Sequence, residues 1–180
     1  MGATPEFGDE QDRMVIRFSA QEDITTWRTS EVNTAGELRI SSGSEIVTAL
    51  KTRQQIIVLT DTAVYAMQFI GAPFTFGINQ LSGTISIAGP KAATSVEDTI
   101  YWMGDNEFYV YDGAVRQLPC SVRDYVFDDI NRQQLVKVVS GSNTADSEIW
   151  WHYPTAGTNE PDKYVIYNYA QGIWYYGTLG

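Results

Sequence analysis

The sequence predicts an all-β fold of propeller-like type, with about three four-stranded antiparallel units and one short helix near residues 121–131. Three observations predict it. One pattern returns three times: QQIIVLTDTAVYAM at 54–67, DTIYWMGDNEFYVYDG at 98–113, and SEIWWHYP…DKYVIYNYAQGIWYYG at 147–177. Each copy is an apolar-aromatic strand, a polar turn and a second such strand, and repetition on this scale marks propellers, solenoids and arrays. Eleven Tyr, seven Phe and five Trp in 180 residues favour pleated, half-buried surfaces. Asp112-Gly113 between apolar runs is a strong short-range hairpin signal.

The elements follow in chain order. Residues 1–13 are polar and read as a flexible acidic leader. MVIRF at 14–18 is a strand, SAQEDITTW at 19–27 is a loop into a second strand around Trp27, and ELRIS at 37–41 is another. Residues 14–43 thus form a partial blade. The first full unit, 44–88, holds IVTALK (46–51), QIIVLT (55–60), AVYAMQF (63–69) and FTFGI (74–78). The second, 89–119, holds ATSV (93–96), TIYWM (99–103), EFYVY (107–111) and AVRQL (114–118).

A helical connector at 120–135 carries a helix over Val122–Asn131. Ser121 is its expected N-cap, and Val122, Tyr125, Val126 and Ile130 share one face. The third unit, 136–180, holds VKVVS (136–140), EIWWHY (148–153), KYVIYNY (163–169) and IWYYG (173–177). Ile57, Ile100 and Ile149 are expected at one equivalent place in each unit. Four strands every 40–50 residues or so match a propeller blade. The middle strands are apolar on both faces, as expected of a blade held between two others.

Composition narrows the function. The net charge of −10 argues against a dedicated nucleic-acid binder, whose affinity rests on neutralising phosphates. It also argues against adsorption to anionic membranes. One cysteine, Cys120, forms no internal disulfide and permits a reducing compartment. No apolar run approaches the roughly 18–20 residues of a membrane span. The start of the sequence lacks the layout of a secretory signal.

No catalytic, cofactor or metal motif stands out. His152 is the only histidine and sits in a strand between aromatics, where a structural role is expected. A zinc site needs about four ligands in characteristic spacings. Asp128-Asp129 reads as a solvated helix end. Gly104-Asp105-Asn106-Glu107 lacks the full calcium-loop pattern and reads as a hairpin turn. Gly71, Gly77, Gly83 and Gly89 are scattered turn glycines, not a phosphate loop. The candidate interaction surface is aromatic: Trp150, Trp151, Tyr153, Trp174, Tyr175 and Tyr176. Packing between sheets is the plainer expectation for such residues. A sugar or protein contact is the sharper one, since exposed Trp and Tyr favour interfaces.

Three stretches carry a resemblance: the RFS-x(5)-T-x-W opening at 17–27, S-G-S-E-I-V-T-A-L at 42–50, and the YWMG-x(4)-YVYDG-x-V-x-x-LP-C block at 101–120. With them, nearly all of residues 15–180 resembles tail nozzle or hub proteins of short-tailed bacteriophages. Proteins of that kind use a β-propeller domain to build part of the tube below the portal, usually in six copies. The resemblance implies a non-enzymatic structural role in the virion tail, as a conduit or seal for DNA, assembled in the host bacterial cytoplasm. It implies self-association and contacts with other tail or portal-proximal proteins. It implies passage of DNA without specific binding, and neither a membrane, a cofactor nor a small-molecule substrate. Relatives of that type are several times longer, so it also implies that this chain is a piece of one. The alternative is a carbohydrate- or protein-binding module of propeller fold that recognises a host surface. A glycan hydrolase of propeller fold ranks third.

Overall fold

The computed structural model describes residues 12–180. The leader expected over 1–13 lies almost wholly outside the described residues. The described chain forms four antiparallel sheets with two short helical segments. β1 (Val15–Phe18) and β2 (Gly36–Arg39) make a two-stranded ribbon. Next come β3 (Ile46–Lys51), β4 (Ile56–Thr60), β5 (Val64–Gly71) and β6 (Thr75–Ser82). The third sheet is β7 (Ala93–Val96), β8 (Thr99–Met103), β9 (Phe108–Tyr111) and β10 (Val115–Leu118). The last is β11 (Val139–Asn143), β12 (Glu148–Tyr153), β13 (Lys163–Asn168) and β14 (Ile173–Thr178). Each four-stranded sheet is a meander whose strand order is its chain order. No sheet closes on itself. The first strands lie side by side, with β7 between β3 and β11. Ser140 ties β11 to the start of β7, its N–H and Oγ both donating to the Lys91 carbonyl at 2.8 and 2.9 Å.

The all-β class therefore holds, and the departures have local causes. β6 runs on to Ser82 because it pairs along most of β5, from Gly71↔Thr75 to Val64↔Ser82. No strand forms around Trp27. Its indole donates to the Ile24 carbonyl at 2.7 Å, and Asp23 accepts from the Thr25 N–H and the Thr25 and Thr26 hydroxyls. Such side-chain bonds offer the backbone an alternative to a ladder. The helix is short: α1 spans Arg123–Phe127. Ser121 does not cap it; Val122 holds the N-cap position, with no side-chain hydrogen bond there. The helix stops because Ile130 turns to bridge Thr155, and a kinked 3₁₀ segment, Arg132–Lys137, follows with the Asn131 side chain accepting from the Gln133 N–H. That segment takes up residues expected in the next strand, so β11 begins at Val139.

Two apolar clusters hold the sheets together. Met14, Ile40, Val58, Ala63, Tyr65 and Met67 join the ribbon to sheet β3–β6. A larger cluster joins the three four-stranded sheets and includes Ile57, Ile100, Trp102, Phe108, Trp151 and Trp174. The two faces of β4 thus go to different clusters: Val58 toward the ribbon, Ile57 and Leu59 toward β7–β10. In β8, Tyr101 meets Tyr167 and Tyr169 of the last sheet. Ile100 therefore faces back, alongside its partner Tyr111, whose hydroxyl bonds Gln55. Ile149 also faces back. Ile57 faces forward, so the expected three-fold isoleucine equivalence fails for the first unit, where Ile56 takes that place. The cause is the turn register: Leu59↔Val64 closes one hairpin and Met103↔Phe108 the other.

Burial along the strands shows how the row ends. Residues 57–60 of β4 and 100–103 of β8 are buried without a break, because both of their faces are covered. β12 alternates: Ile149, Trp151 and Tyr153 are buried, whereas Glu148, Trp150 and His152 are half-buried. Sheet β11–β14 packs one face on β7–β10, and no described residue packs a sheet on the other.

Candidate interaction face

The six aromatics singled out in the sequence are not one surface. The period of two in a strand divides them. Trp151 and Tyr153 are 0% exposed and Trp174 is 8% exposed. All three belong to the core between the last two sheets, with the Phe108 ring 4.9 Å from Trp151 and 4.8 Å from Trp174. A buried indole N–H needs an acceptor. Trp151 Nε1 donates to the Ala92 carbonyl at 3.0 Å, and Trp174 Nε1 to that of Pro119 at 2.9 Å. These three residues hold the fold and offer no contact surface. The Tyr153 hydroxyl is buried without a hydrogen-bond partner among the described residues, and burial raises its pKa.

Tyr176 is exposed at the rim. Its ring lies 4.1 Å from that of Tyr125 on α1. Lys163 Nζ sits 4.7 Å over the Tyr125 ring and 2.7 Å from Asp129 Oδ2, and that pairing with Asp129 raises the ammonium pKa. Trp150 and Tyr175 remain for the uncovered face. Register adds the residues beside them: His152↔Tyr164, Trp150↔Ile166, Ile166↔Tyr175 and Val139↔His152 are cross-strand pairs. The face therefore includes Val139, Trp150, His152, Tyr164, Ile173 and Tyr175, with Ile166 in the same rows but itself buried. The Trp150 and Tyr164 rings are 5.1 Å apart, and Trp150 stacks on His152 at 5.9 Å. The Trp150 indole donates to Glu148 Oε2 at 2.9 Å.

Gly177 makes this arrangement possible. A Cβ there would meet the Tyr164 hydroxyl at 2.4 Å, so only glycine lets that ring lie across β14. Tyr175 is 44% exposed and Val139 38%. Burial among the aromatics holds the His152 imidazole below its ordinary pKa, so the neutral form is favoured. Sequence reasoning missed Val139, His152, Tyr164 and Ile173 as members of this face. Counting by twos from Trp150 and Tyr175 would have found His152 and Ile173; the cross-strand members needed the register. A second exposed apolar group, Phe69, Ile70 and Phe74, stands at the β5–β6 hairpin.

The remaining candidates fall into structural places. Cys120 packs against the main core, and burial pushes its thiol up to about 11. Gly104–Glu107 is a hairpin turn: the Gly104 N–H donates to the Glu107 carbonyl at 2.8 Å, and Glu107 pairs with Arg123 at 2.5 Å. Among the described residues no three His, Cys, Asp or Glu side chains gather as a metal site. No helix of the described residues is long and apolar enough to cross a membrane. Compared with known proteins, the sequence matches no family model, and no curated protein is significantly similar to it.

Proposed function

We propose that this chain is a non-enzymatic structural component of a bacteriophage tail, a portion of a β-propeller that assembles through the uncovered face of sheet β11–β14. One observation carries the reading. Three four-stranded meanders stand in chain order with their first strands side by side, and the last leaves an aromatic face without a sheet against it. Meanders arranged in this way are the unit of a propeller. An apolar face of this kind on a sheet marks an association surface. The nozzle-like resemblance of residues 15–180 supplies the biological setting, with copies of this chain and neighbouring tail proteins as partners. DNA passes such a wall without specific binding, in keeping with the net charge of −10.

Light scattering coupled to size exclusion, over a range of protein concentrations, tests the reading. Trp150→Lys and Tyr175→Glu place charge on the face while leaving the core untouched. The wild type should self-associate, and the two variants should shift it toward the monomer. A wild type that stays monomeric at every concentration would sink the proposal.

A further inference from the structure

The β5–β6 hairpin carries a second feature, independent of the uncovered face. Pairing between β4 and β5 ends at Ile56↔Met67, but β5 and β6 stay paired as far as Gly71↔Thr75. The hairpin beyond Met67 therefore overhangs its sheet. Its tip reads Phe69-Ile70-Gly71-Ala72-Pro73-Phe74, without one polar side chain. Phe74 is 72% exposed, Phe69 63% and Ile70 51%. Turns ordinarily carry polar residues beside their Gly and Pro, and a run of exposed apolar residues has no structural use. Such a patch marks a contact with something apolar.

The chemistry of the hairpin points to lipid. From Thr62 to Pro90 the sequence holds no Asp, Glu, Lys, Arg or His. Charged side chains are costly in a bilayer, so the hairpin can enter one without carrying a charge along. Backbone groups in a bilayer must be bonded within the protein. Here Gln68↔Gly77, Phe69↔Phe76 and Gly71↔Thr75 continue the ladder to the turn. The Phe74 N–H donates to the Gly71 carbonyl at 3.2 Å, and Pro73 has no N–H to satisfy. The base of the hairpin is braced. The Phe69 ring lies 5.8 Å from Phe76, Phe76 lies 4.9 Å from Phe18, and the Thr75 hydroxyl donates to the Thr34 carbonyl at 3.2 Å. Charges of both signs border that base: Lys51 and Arg53 near Phe69, Glu31 and Glu37 near Phe74. With the net charge of −10, they give no preference for anionic headgroups.

We propose that the β5–β6 tip inserts into an electrically neutral phospholipid bilayer, with Phe69, Ile70 and Phe74 at the boundary of headgroups and acyl chains and the charged border outside it. An insertion of about 5–10 Å is the usual depth for an interfacial apolar face. The contact goes beyond the tail role proposed above and departs from the expectation of no membrane partner. It depends on neither that role nor self-association.

Cosedimentation of the full chain with sucrose-loaded phosphatidylcholine vesicles, over a range of lipid concentrations, tests the proposal. The wild type should pellet with the vesicles. Phe74→Asp should lower the partition coefficient by about tenfold or more, the loss expected for one large apolar side chain. Phe74 is exposed, so this variant should keep the wild-type melting curve and self-association. Phe74→Trp should keep vesicle binding and, with brominated acyl chains, should show emission quenching beyond that of the wild type. Trp150→Lys disables the other exposed apolar face and should bind vesicles like the wild type. A wild type that stays in the supernatant at millimolar lipid overturns the proposal and leaves the tip to a protein partner. Binding that Phe74→Asp leaves unchanged overturns it too, as does binding that Trp150→Lys abolishes.

Discussion

Asp162 shows how single residues hold the long loop between β12 and β13. It accepts hydrogen bonds from the Thr155 N–H at 2.8 Å, the Thr155 hydroxyl at 2.7 Å and the Thr158 hydroxyl at 3.1 Å. Burial alone would raise its pKa, but these bonds outweigh it and hold the carboxyl below its ordinary value of 3.8. A depressed carboxylate pKa adds stability that is fully present above 3.8 and is lost as pH falls through the folded-state value. Asp162→Asn should therefore lower the denaturation midpoint at neutral pH and flatten the loss of stability below about pH 4. Urea melts of both proteins at a series of pH values check this; parallel acid profiles would contradict it. His152 behaves in the opposite sense to an ion-paired histidine. Its folded-state pKa lies below 6.5, so its contribution is full above 6.5 and fades as pH falls from there.

At the scale of elements, the hairpins carry the architecture. The β9–β10 turn depends on Gly113, whose φ of +108° disfavours any side chain. Gly113→Ala should cost about 1 kcal/mol or more. Thermal melts of the two proteins check this, and an unchanged midpoint would contradict it. The same hairpin was legible in the sequence, since Asp-Gly between apolar runs leaves few other conformations. β3, β8 and β12 were legible for the same reason: each is a short, mostly apolar run with turn chemistry at its ends. The region around 122–143 was not. Its apolar spacing suits a helix, but the Ile130–Thr155 bridge and the Asn131 side chain are long-range and local contacts that spacing does not encode.

Across the whole molecule, the row of sheets has two unlike ends. The ribbon turns Ile16 and Leu38 inward, while its other face carries Arg17, Glu37 and Arg39. The far end carries Trp150, Tyr164 and Tyr175. Repeat arrays need polar outer faces at their ends, and only one end of this row has one. That asymmetry was hidden in the sequence, because a strand apolar on both faces reads the same whether or not a sheet covers it. For the same reason, half of the proposed aromatic surface turned out to be core. Ending the chain after Leu118 should uncover Tyr101, Met103, Phe108 and Val110 in place of the present end. Such a chain should bind a hydrophobic dye more strongly than the full one; equal dye binding would mean that these side chains find cover within the remaining sheets.

The coincidence of strand order with chain order has a further consequence, for synthesis on the ribosome. Within each sheet every strand pairs with the one made just before it, and each four-stranded sheet packs on one already complete. The nascent chain can thus assemble from its amino-terminal side without waiting for distant partners, since closing short loops costs little. The aromatic face is made after the sheets that precede it, so the stickiest surface of this row exists only once those sheets are already packed.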